Sequence, residues 1–455
     1  MKALWSALVA FALAALTWRE MDLLGDTFWY IATGRWVLAH HAWPQDELFS
    51  YAATRGPWLV NMPASEPAFA WVTDHFGIGS LVVVCSAVFA LGWTLLWLPH
   101  AKTDIARLAT APLVVLAIWI QRDDLSARSQ AIADLFVAIL FLAMFRMRDG
   151  LRVPLWVAPL LGAVWMNIHP SVFIAAIVPV GFGAALWIAG RPARAAAPYF
   201  VFAALATLGM LVNPYGARLP LEFVRVMGVE STFAVDLFQS PHFAAPEIVA
   251  PLLLALVLSA LLARRRAPEA LVMIALVTGT CIARRYVEIL VAFELVVVSR
   301  MLTRASWAQR AIAPRVWLAL AALPIALAAL ALRGPKDPFR NVPVEAVRAI
   351  DEQNLPDNVM NVLHWGGYLD YVWAGRRRIF MDGRTTQFEN GVIGDHTILL
   401  NAAPGSRELL DMYLVNTVLW ERDTPLDFAL ARDPAWENVF REGFAVVYVR
   451  KNPIR

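Results

Sequence analysis

The amino-acid sequence predicts a polytopic α-helical membrane protein of about eleven transmembrane helices that continues into a small, water-facing C-terminal α/β domain. Of the 455 residues, 59% are hydrophobic and 16% are charged, whereas soluble proteins carry about 25% charged residues. The acidic residues are also unevenly distributed, since 17 of the 36 follow position 333. We therefore expect a membrane domain over residues 1–333 and a C-terminal domain over residues 334–455.

Each predicted span is an apolar run of the length that a bilayer requires. A hydrocarbon core of about 30 Å needs roughly 17–25 residues of helix. The predicted spans cover residues 3–18, 79–98, 108–120, 130–146, 154–168, 171–190, 197–212, 248–263, 269–283, 287–303 and 316–333. The runs at 108–120 and 154–168 are short, so their assignment depends on the neighbouring spans.

The basic residues predict the orientation of these spans. One side collects 15 of the 25 lysines and arginines of residues 1–333, from Lys2 to Arg315, and an excess of basic residues marks the cytoplasmic side. The N-terminus is then cytoplasmic, and the C-terminal domain is periplasmic to a bacterial inner membrane. The sequence Ala12-Leu13-Ala14 resembles a signal-cleavage site, but we favour a retained first helix because it anchors the polar loop that follows. The arginines lie in short loops, so we expect no nucleic-acid partner.

Two long external loops and the C-terminal domain complete the predicted organisation. Loop 19–78 contains apolar stretches typical of helices that lie in the membrane interface, and loop 213–247 begins with the helix-ending residues Asn213-Pro214-Tyr215-Gly216. In the C-terminal domain, helices are predicted at 343–352, 407–413 and 426–431, and strands at 359–363, 378–381, 417–420 and 445–449. Helices that alternate with short strands predict an α/β or α+β domain.

Charged residues on the predicted external face are the candidate functional residues. They comprise Asp26 after the first span, Glu47 and Glu66 in the same loop, Arg128, His169, Arg284 and Arg285. Taken singly, each has a simpler interpretation as a solvated interface residue or a helix-end residue. Charges at membrane-helix ends are nevertheless costly unless they are paired or face a polar cavity. Together they predict a polar cavity for an anionic ligand, because guanidinium groups bind phosphate oxygens bidentately.

The sequence resembles the GT-C superfamily of membrane glycosyltransferases. Residues 25–35, Gly-Asp-Thr-Phe-Trp-Tyr-Ile-Ala-Thr-Gly-Arg, are similar to the first-loop motif of that superfamily. The spacing of Asp26 and Tyr30 resembles the branch that includes protein O-mannosyl and aminoarabinose transferases. The whole chain resembles a group of largely uncharacterised bacterial multi-pass proteins with a periplasmic C-terminal domain. The matching segments are 44–50, 126–128, 165–169, 213–216, 239–241, 283–285, 365–369 and 382–384.

This chain departs from the pattern of that group at three places. Glu47 stands where the group often has Asp, Asn61-Met62-Pro63 replaces a His-Glu-Trp stretch, and Thr386 replaces an acidic residue. A different acceptor or a degenerate catalyst is therefore an open alternative to an active enzyme of the usual kind.

The resemblance implies an inverting glycosyltransferase that takes a polyprenyl-phosphate-linked sugar at the periplasmic face and modifies a glycan, lipid or protein acceptor. It implies that Asp26 is the general base, and Glu47, Glu66 and His169 are further catalytic candidates. Candidates for binding the donor phosphate are Arg128, Arg284, Arg285 and Tyr30. The alternatives are a transporter or flippase of a lipid-linked sugar and a non-catalytic partner in envelope polysaccharide assembly. Transporters tend to contain repeated halves, and this sequence shows none.

A divalent cation, Mg²⁺ or Mn²⁺, is a further candidate cofactor. Asp123 and Asp124 lie in the loop between the third and fourth predicted spans, where metal-dependent oligosaccharyl transferases of the same superfamily carry a second acidic motif. With Asp26 they could supply the oxygen ligands that such a cation prefers. The alternative is that both residues pair with Arg122 and Arg128 at the water interface.

Overall fold

Helices form most of the protein. The computed structural model describes residues 1–53, 58–122, 125–226, 241–333, 337–384, 387–388 and 391–454. Up to residue 333, the helices are α1 (Lys2–Glu20), α2 (Gly25–His40), α3 (Ser65–Phe76), α4 (Gly79–Trp97), α5 (Asp104–Gln121), α6 (Ser129–Arg148), α7 (Val157–Met166), α8 (Ile174–Ile188), α9 (Ala193–Gly209), α10 (Arg218–Val226), α11 (Pro246–Arg264), α12 (Glu269–Ile282), α13 (Val287–Arg304), α14 (Pro314–Leu320) and α15 (Ala322–Ala331).

The predicted multi-pass membrane architecture is confirmed. Within the described ranges, seven segments are long and apolar enough to cross a bilayer, namely α1, α4, α5, α6, Pro170–Ile188, α11 and Pro314–Ala331. The predicted spans at 154–168, 197–212 and 269–283 correspond to the shorter apolar helices α7, α9 and α12. The predicted span at 287–303 corresponds to α13, which carries several charged residues.

The segment that follows α1 is hydrogen-bonded to the segment that precedes α6. Asp22 and Ser126 form a parallel bridge, and the backbone N–H of Ala127 donates to the carbonyl oxygen of Asp22 at 2.8 Å. The hydroxyl of Thr27 then donates to the carbonyl oxygen of Ala127 at 2.9 Å. These contacts bring the first turn of α2 beside the start of α6.

The C-terminal domain is a four-stranded mixed sheet with helices around it. Its helices are α16 (Val344–Glu352), α17 (Leu363–Trp373), α18 (Val392–Leu400), α19 (Ser406–Met412) and α20 (Pro425–Leu430), and its strands are β1 (Val359–Asn361), β2 (Thr417–Glu421), β3 (Trp436–Glu442) and β4 (Ala445–Arg450). The strand order is β1-β2-β4-β3. β1 pairs in parallel with β2, and β4 is antiparallel to both β2 and β3.

Four elements of this domain differ from the prediction, and one of them is α18 (Val392–Leu400), where no helix was predicted. The predicted strand at 378–381 is present only as isolated bridges from Ile379 to Ser50 and Val359. Helix α17 was not predicted because its adjacent Gly366 and Gly367 are typical of a turn. Strand β3 was not predicted because it is an edge strand whose residues are mostly exposed, so it lacks the alternation of a half-buried strand.

The C-terminal domain packs directly against α2. Helix α17 crosses α2 so closely that a Cβ atom on Gly367 would lie 1.9 Å from the carbonyl oxygen of Gly25, which requires glycine at position 367. The ring of Phe28 packs edge-on against Tyr368 with ring centroids 5.3 Å apart. One hydrophobic core therefore extends from the helical bundle into the C-terminal domain.

Candidate functional site

Asp26 occupies the first turn of α2, where the partial positive charge of a helix N-terminus favours a carboxylate. Nη1 of Arg128 donates to Oδ2 of Asp26 at 3.0 Å, and the indole Nε1 of Trp29 donates to Oδ1 at 3.2 Å. The Asp26 side chain is still 29% exposed. The carboxylate is thus oriented by two donors and remains open to a substrate.

Tyr30 lies one turn beyond Asp26 and is buried. Its ring packs edge-on against Trp29, with centroids 4.3 Å apart. Burial, followed by the negative charge of Asp26, raises the pKa of Tyr30 above its usual value. The phenol therefore remains neutral at ordinary pH, and its hydroxyl remains a hydrogen-bond donor.

His169 caps the short 3₁₀ helix Pro170–Phe173 that precedes α8. The backbone N–H of Ser171 donates to Nδ1 of His169 at 3.2 Å, so the proton of the neutral ring resides on Nε2. Burial, and then the positive charges of Arg285 and Arg128, lower the pKa of His169 to about 3. The histidine is a neutral donor placed close to two guanidinium groups.

Arg284 and Arg285 form the 3₁₀ turn Arg284–Tyr286 between α12 and α13. Burial lowers the pKa of Arg285, and the charge of Arg128 acts in the same direction, whereas Tyr286 and Glu288 oppose the shift. The carboxylate of Glu288 also accepts a hydrogen bond from Gln130 at 2.8 Å. The structure thus places Arg128, Arg285 and His169 near one another, with Arg284 in the adjacent position of the turn.

Glu47 is bound to the C-terminal domain. Nη1 and Nη2 of Arg384 donate to its two carboxylate oxygens at 3.1 and 2.7 Å, and the N–H groups of Phe49 and Ser50 donate to Oε1 at 2.8 and 3.0 Å. Burial opposes ionisation of Glu47, but Arg384 and these backbone donors hold its pKa below the usual value. Glu47 is consequently a carboxylate with most of its hydrogen-bonding capacity occupied.

Glu66 is completely buried at the start of α3. The N–H of Met62 donates to Oε1 at 3.2 Å, and Oε2 has no hydrogen-bond partner among the described residues. Burial raises the pKa of Glu66 to about 8, although the Met62 hydrogen bond and the charge of Arg384 oppose the shift. Glu66 is therefore a neutral acid near pH 7.

The predicted metal ligands Asp123 and Asp124 lie outside the described residues. Within the part of the chain that the structure describes, no group of three or more His, Cys, Asp or Glu side chains is arranged to hold a metal ion. Both oxygens of Asp26 already accept hydrogen bonds, from Arg128 and Trp29. Of the predicted metal ligands, the structure therefore describes Asp26, whose carboxylate accepts one hydrogen bond on each oxygen and is partly exposed.

Sequence reasoning did not predict the roles of Asp382, Arg384 and Asp370. Arg384 is 2% exposed and donates from Nε to Oδ1 of Asp382 at 2.9 Å, in addition to its bonds with Glu47. Asp370 on α17 is also buried. Residues 382–384 match the group of bacterial multi-pass proteins. Nothing in this short segment indicates that its arginine contacts Glu47, which lies 337 positions away in the sequence.

No protein-family model and no curated protein matches the chain, but solved structures do. The structure of the arabinofuranosyltransferase AftD from Mycobacteria superimposes with a TM-score of 0.55 and 14% identity over 98% of this chain and 40% of that protein. ArnT from Cupriavidus metallidurans, bound to undecaprenyl phosphate, superimposes with a TM-score of 0.51 and 12% sequence identity. The match covers 98% of this chain and 97% of ArnT. The apo oligosaccharyltransferase of Archaeoglobus fulgidus superimposes with a TM-score of 0.50 and 12% sequence identity. The match covers 91% of this chain and 69% of that protein.

These comparisons establish the fold. The chain has the fold of GT-C membrane glycosyltransferases, as the sequence predicted, and it spans almost the full length of ArnT. It spans well under half of the longer arabinofuranosyltransferase. At identities of 12–14%, the similarity concerns the fold, and the activity must be argued from the site.

Proposed function

We propose that the protein is a glycosyltransferase that transfers a sugar from a polyprenyl-phosphate carrier to a hydroxyl group, with inversion at the anomeric carbon. The observation that carries this proposal is the partly exposed Asp26 carboxylate, ion-paired with Arg128 in the neighbourhood of Arg285 and His169. A base lies next to an anion-binding group. The undecaprenyl phosphate bound to ArnT supports the lipid class of the donor.

In the proposed reaction, Asp26 accepts the proton of the acceptor hydroxyl. The hydroxyl oxygen attacks the anomeric carbon, the bond from that carbon to the phosphate oxygen breaks, and the polyprenyl phosphate leaves with the electron pair. A single displacement inverts the anomeric configuration. Positioned proton transfer of this kind contributes ~10²–10⁴ to a rate.

Arg128, Arg284 and Arg285 are proposed to bind the donor phosphate and stabilise the charge that develops as it leaves. His169 adds a neutral N–H donor from Nε2, and Tyr30 adds a phenol. Arg128 is the link between the two functions, because it contacts Asp26 directly and its charge also acts on His169.

Glu47 and Glu66 are proposed to act differently from Asp26. Glu47 holds Arg384, so we assign it a positioning role. Glu66 is neutral and enclosed between helices, so it requires a change of protonation state before it can accept a proton. Its candidate catalytic role stays a prediction that substitution by glutamine tests.

A bacterial inner-membrane location, with this site at the periplasmic face, suits both proposed substrates. A polyprenyl chain stays among membrane lipids while its phosphate reaches the helix ends, and a glycan, lipid or protein acceptor arrives from the water-facing side. We propose that the arginines, rather than Mg²⁺ or Mn²⁺, balance the phosphate charge, since guanidinium groups bind phosphate oxygens bidentately.

The deciding experiment combines lipid analysis with turnover. Mass spectrometry of the purified protein is expected to find co-bound polyprenyl phosphate or its sugar conjugate, and the protein is expected to release free carrier when an acceptor is supplied. Movement of the intact conjugate across vesicle membranes without cleavage would instead identify a flippase. Absence of both binding and cleavage would support the non-catalytic alternative.

A further inference from the structure

Gly383 of the C-terminal domain lies directly against the side chain of Asp26. A Cβ atom at position 383 would be 2.6 Å from Oδ1 of Asp26 and 3.2 Å from Nε1 of Trp29. The first distance is shorter than real van der Waals contacts allow, so only a residue without a side chain leaves the carboxylate where it is. The contact joins the C-terminal domain to the proposed base.

We propose that Gly383 is a positioning residue, whose backbone is the surface that holds the Asp26 carboxylate between Arg128 and Trp29. This inference rests on the proposed function, because it concerns the orientation of the same carboxylate. An aspartate side chain rotates about two torsions, and a general base must lie within hydrogen-bond reach of the proton that it accepts. Arg128 and Trp29 each hold one oxygen, and Gly383 blocks rotation toward the C-terminal domain.

The two neighbours of Gly383 are fixed in place. Asp382 and Arg384 are both buried, and the backbone N–H of Arg384 donates to Oδ1 of Asp382 at 2.7 Å. The guanidinium of Arg384 stacks on the rings of Phe49 and Trp58, 5.0 and 4.6 Å from their centroids. Because Arg384 also binds Glu47, the segment around Gly383 is tied to the loop that follows α2.

Asp370 completes this buried cluster. It is 2% exposed, and its oxygens accept no hydrogen bond among the described residues. Burial, and then the negative charge of Asp382, raise the pKa of Asp370 well above its usual value. A neutral Asp370 leaves Arg384 to balance two carboxylates, Asp382 and Glu47, rather than three. The cluster can therefore remain compact at neutral pH and hold Gly383 in position.

The direct test is Gly383→Ala, with Gly394→Ala as the matched control. A Cβ atom on Gly394 meets nothing within 4 Å, so this control adds the same methyl group without a contact. We expect Gly383→Ala to fold, because the atom that it displaces is the free end of a side chain. Its kcat is expected to fall on the order of tenfold to a hundredfold, as for other small displacements of catalytic groups. Its donor KM is expected to change less than its kcat, because the atoms nearest the added Cβ belong to Asp26 and Trp29 rather than to an arginine.

A second measurement keeps this inference separate from the proposed function. Asp26 is labelled with a water-soluble carbodiimide and an amine, and the product is quantified by peptide mass spectrometry, which requires no enzymatic turnover. A displaced carboxylate loses its hydrogen bond to Trp29, so we expect labelling of Asp26 to rise about two- to tenfold in Gly383→Ala. Wild type and Gly394→Ala are expected to label equally slowly.

The outcomes divide clearly. Equal labelling of all three proteins overturns the positioning role, whether or not the protein transfers sugar. Faster labelling of Gly383→Ala in a protein that never transfers sugar supports the contact and rejects the proposed function alone. If Gly383→Ala does not fold, Trp29→Phe removes the same hydrogen bond and keeps a ring. Trp36→Phe on the same helix is its control, and equal labelling of that pair overturns the inference.

Discussion

Arg128 donates a hydrogen bond to Asp26 at 3.0 Å, although 102 positions separate the two residues in the sequence. The bridge between Asp22 and Ser126 makes this contact possible, because it aligns the start of α2 with the start of α6. Asp26 is therefore both restrained and partly exposed, which is the arrangement that a general base requires.

Asp26→Asn is expected to insert and fold normally but to lose transfer by ~10²–10⁴, since the amide keeps the shape of the side chain and cannot accept the proton. Turnover with a labelled polyprenyl-phosphate sugar measures the loss. Asp74→Asn, which breaks an exposed ion pair with Arg35, is the control and is expected to remain active. Full activity of Asp26→Asn would move the role of base to Glu47 or Glu66.

Arg285→Ala and Arg284→Ala are expected to weaken donor binding roughly tenfold to a hundredfold, because a charge-assisted hydrogen bond is worth about 1.5–3 kcal/mol. Arg310→Ala removes an exposed arginine on the predicted cytoplasmic side and is expected to have no effect. Binding of the donor to purified protein is the measurement. Equal losses in all three variants would indicate general destabilisation rather than phosphate binding.

His169→Gln and His169→Leu separate a donor role from a packing role. Because Nδ1 accepts a hydrogen bond from the N–H of Ser171, Nε2 carries the proton that a phosphate oxygen could accept. Glutamine retains an N–H donor, so we expect His169→Gln to keep more donor affinity than His169→Leu, which should lose about tenfold or more. Equal affinities of the two variants would exclude this hydrogen bond.

Stability is expected to fall with rising pH because of Glu66. Its folded-state pKa of about 8 exceeds the usual value of 4.5. The stability that Glu66 contributes to the fold is therefore fully present below pH 4.5 and is lost as the pH rises through 8. The loss of unfolding free energy has an upper bound of about 5 kcal/mol, at 1.36 kcal/mol per pKa unit. Glu66→Gln is expected to flatten this dependence in thermal melts at pH 5, 7 and 9. Retained transfer by the variant at pH 7 would show that Glu66 is not the base.

Transfer is expected to survive complete removal of divalent cations by a chelator, because Arg128, Arg284 and Arg285 are proposed to balance the charge of the donor phosphate. Turnover before and after treatment, with Mg²⁺ or Mn²⁺ added back, is the measurement. Loss on chelation and recovery on addition would return Asp123 and Asp124 to the role of ligands.

The sequence predicted the membrane helices well because apolar runs of bilayer length have few alternative structures. Candidate site residues were predictable where a charged side chain lies at the end of a predicted span, as with Asp26, Arg128 and Arg285. A charge at such a position is costly unless it is paired or faces a polar cavity. Pairing between distant segments was not predictable. The bond from Arg384 to Glu47 depends on the packing of α17 against α2. Gly367 permits this packing, but two adjacent glycines are more typical of a turn.

The contact between Gly25 and Gly367 also has a consequence for biogenesis. Glu47 and the first turn of α2 leave the ribosome early, but the arginine and the glycine that complete their surroundings follow more than three hundred residues later. The surroundings of the proposed base are therefore complete only after residues 367–384 have been synthesised, so a protein truncated before them is expected to insert its spans and remain inactive. The C-terminal segment thus becomes a condition for the proposed sugar transfer.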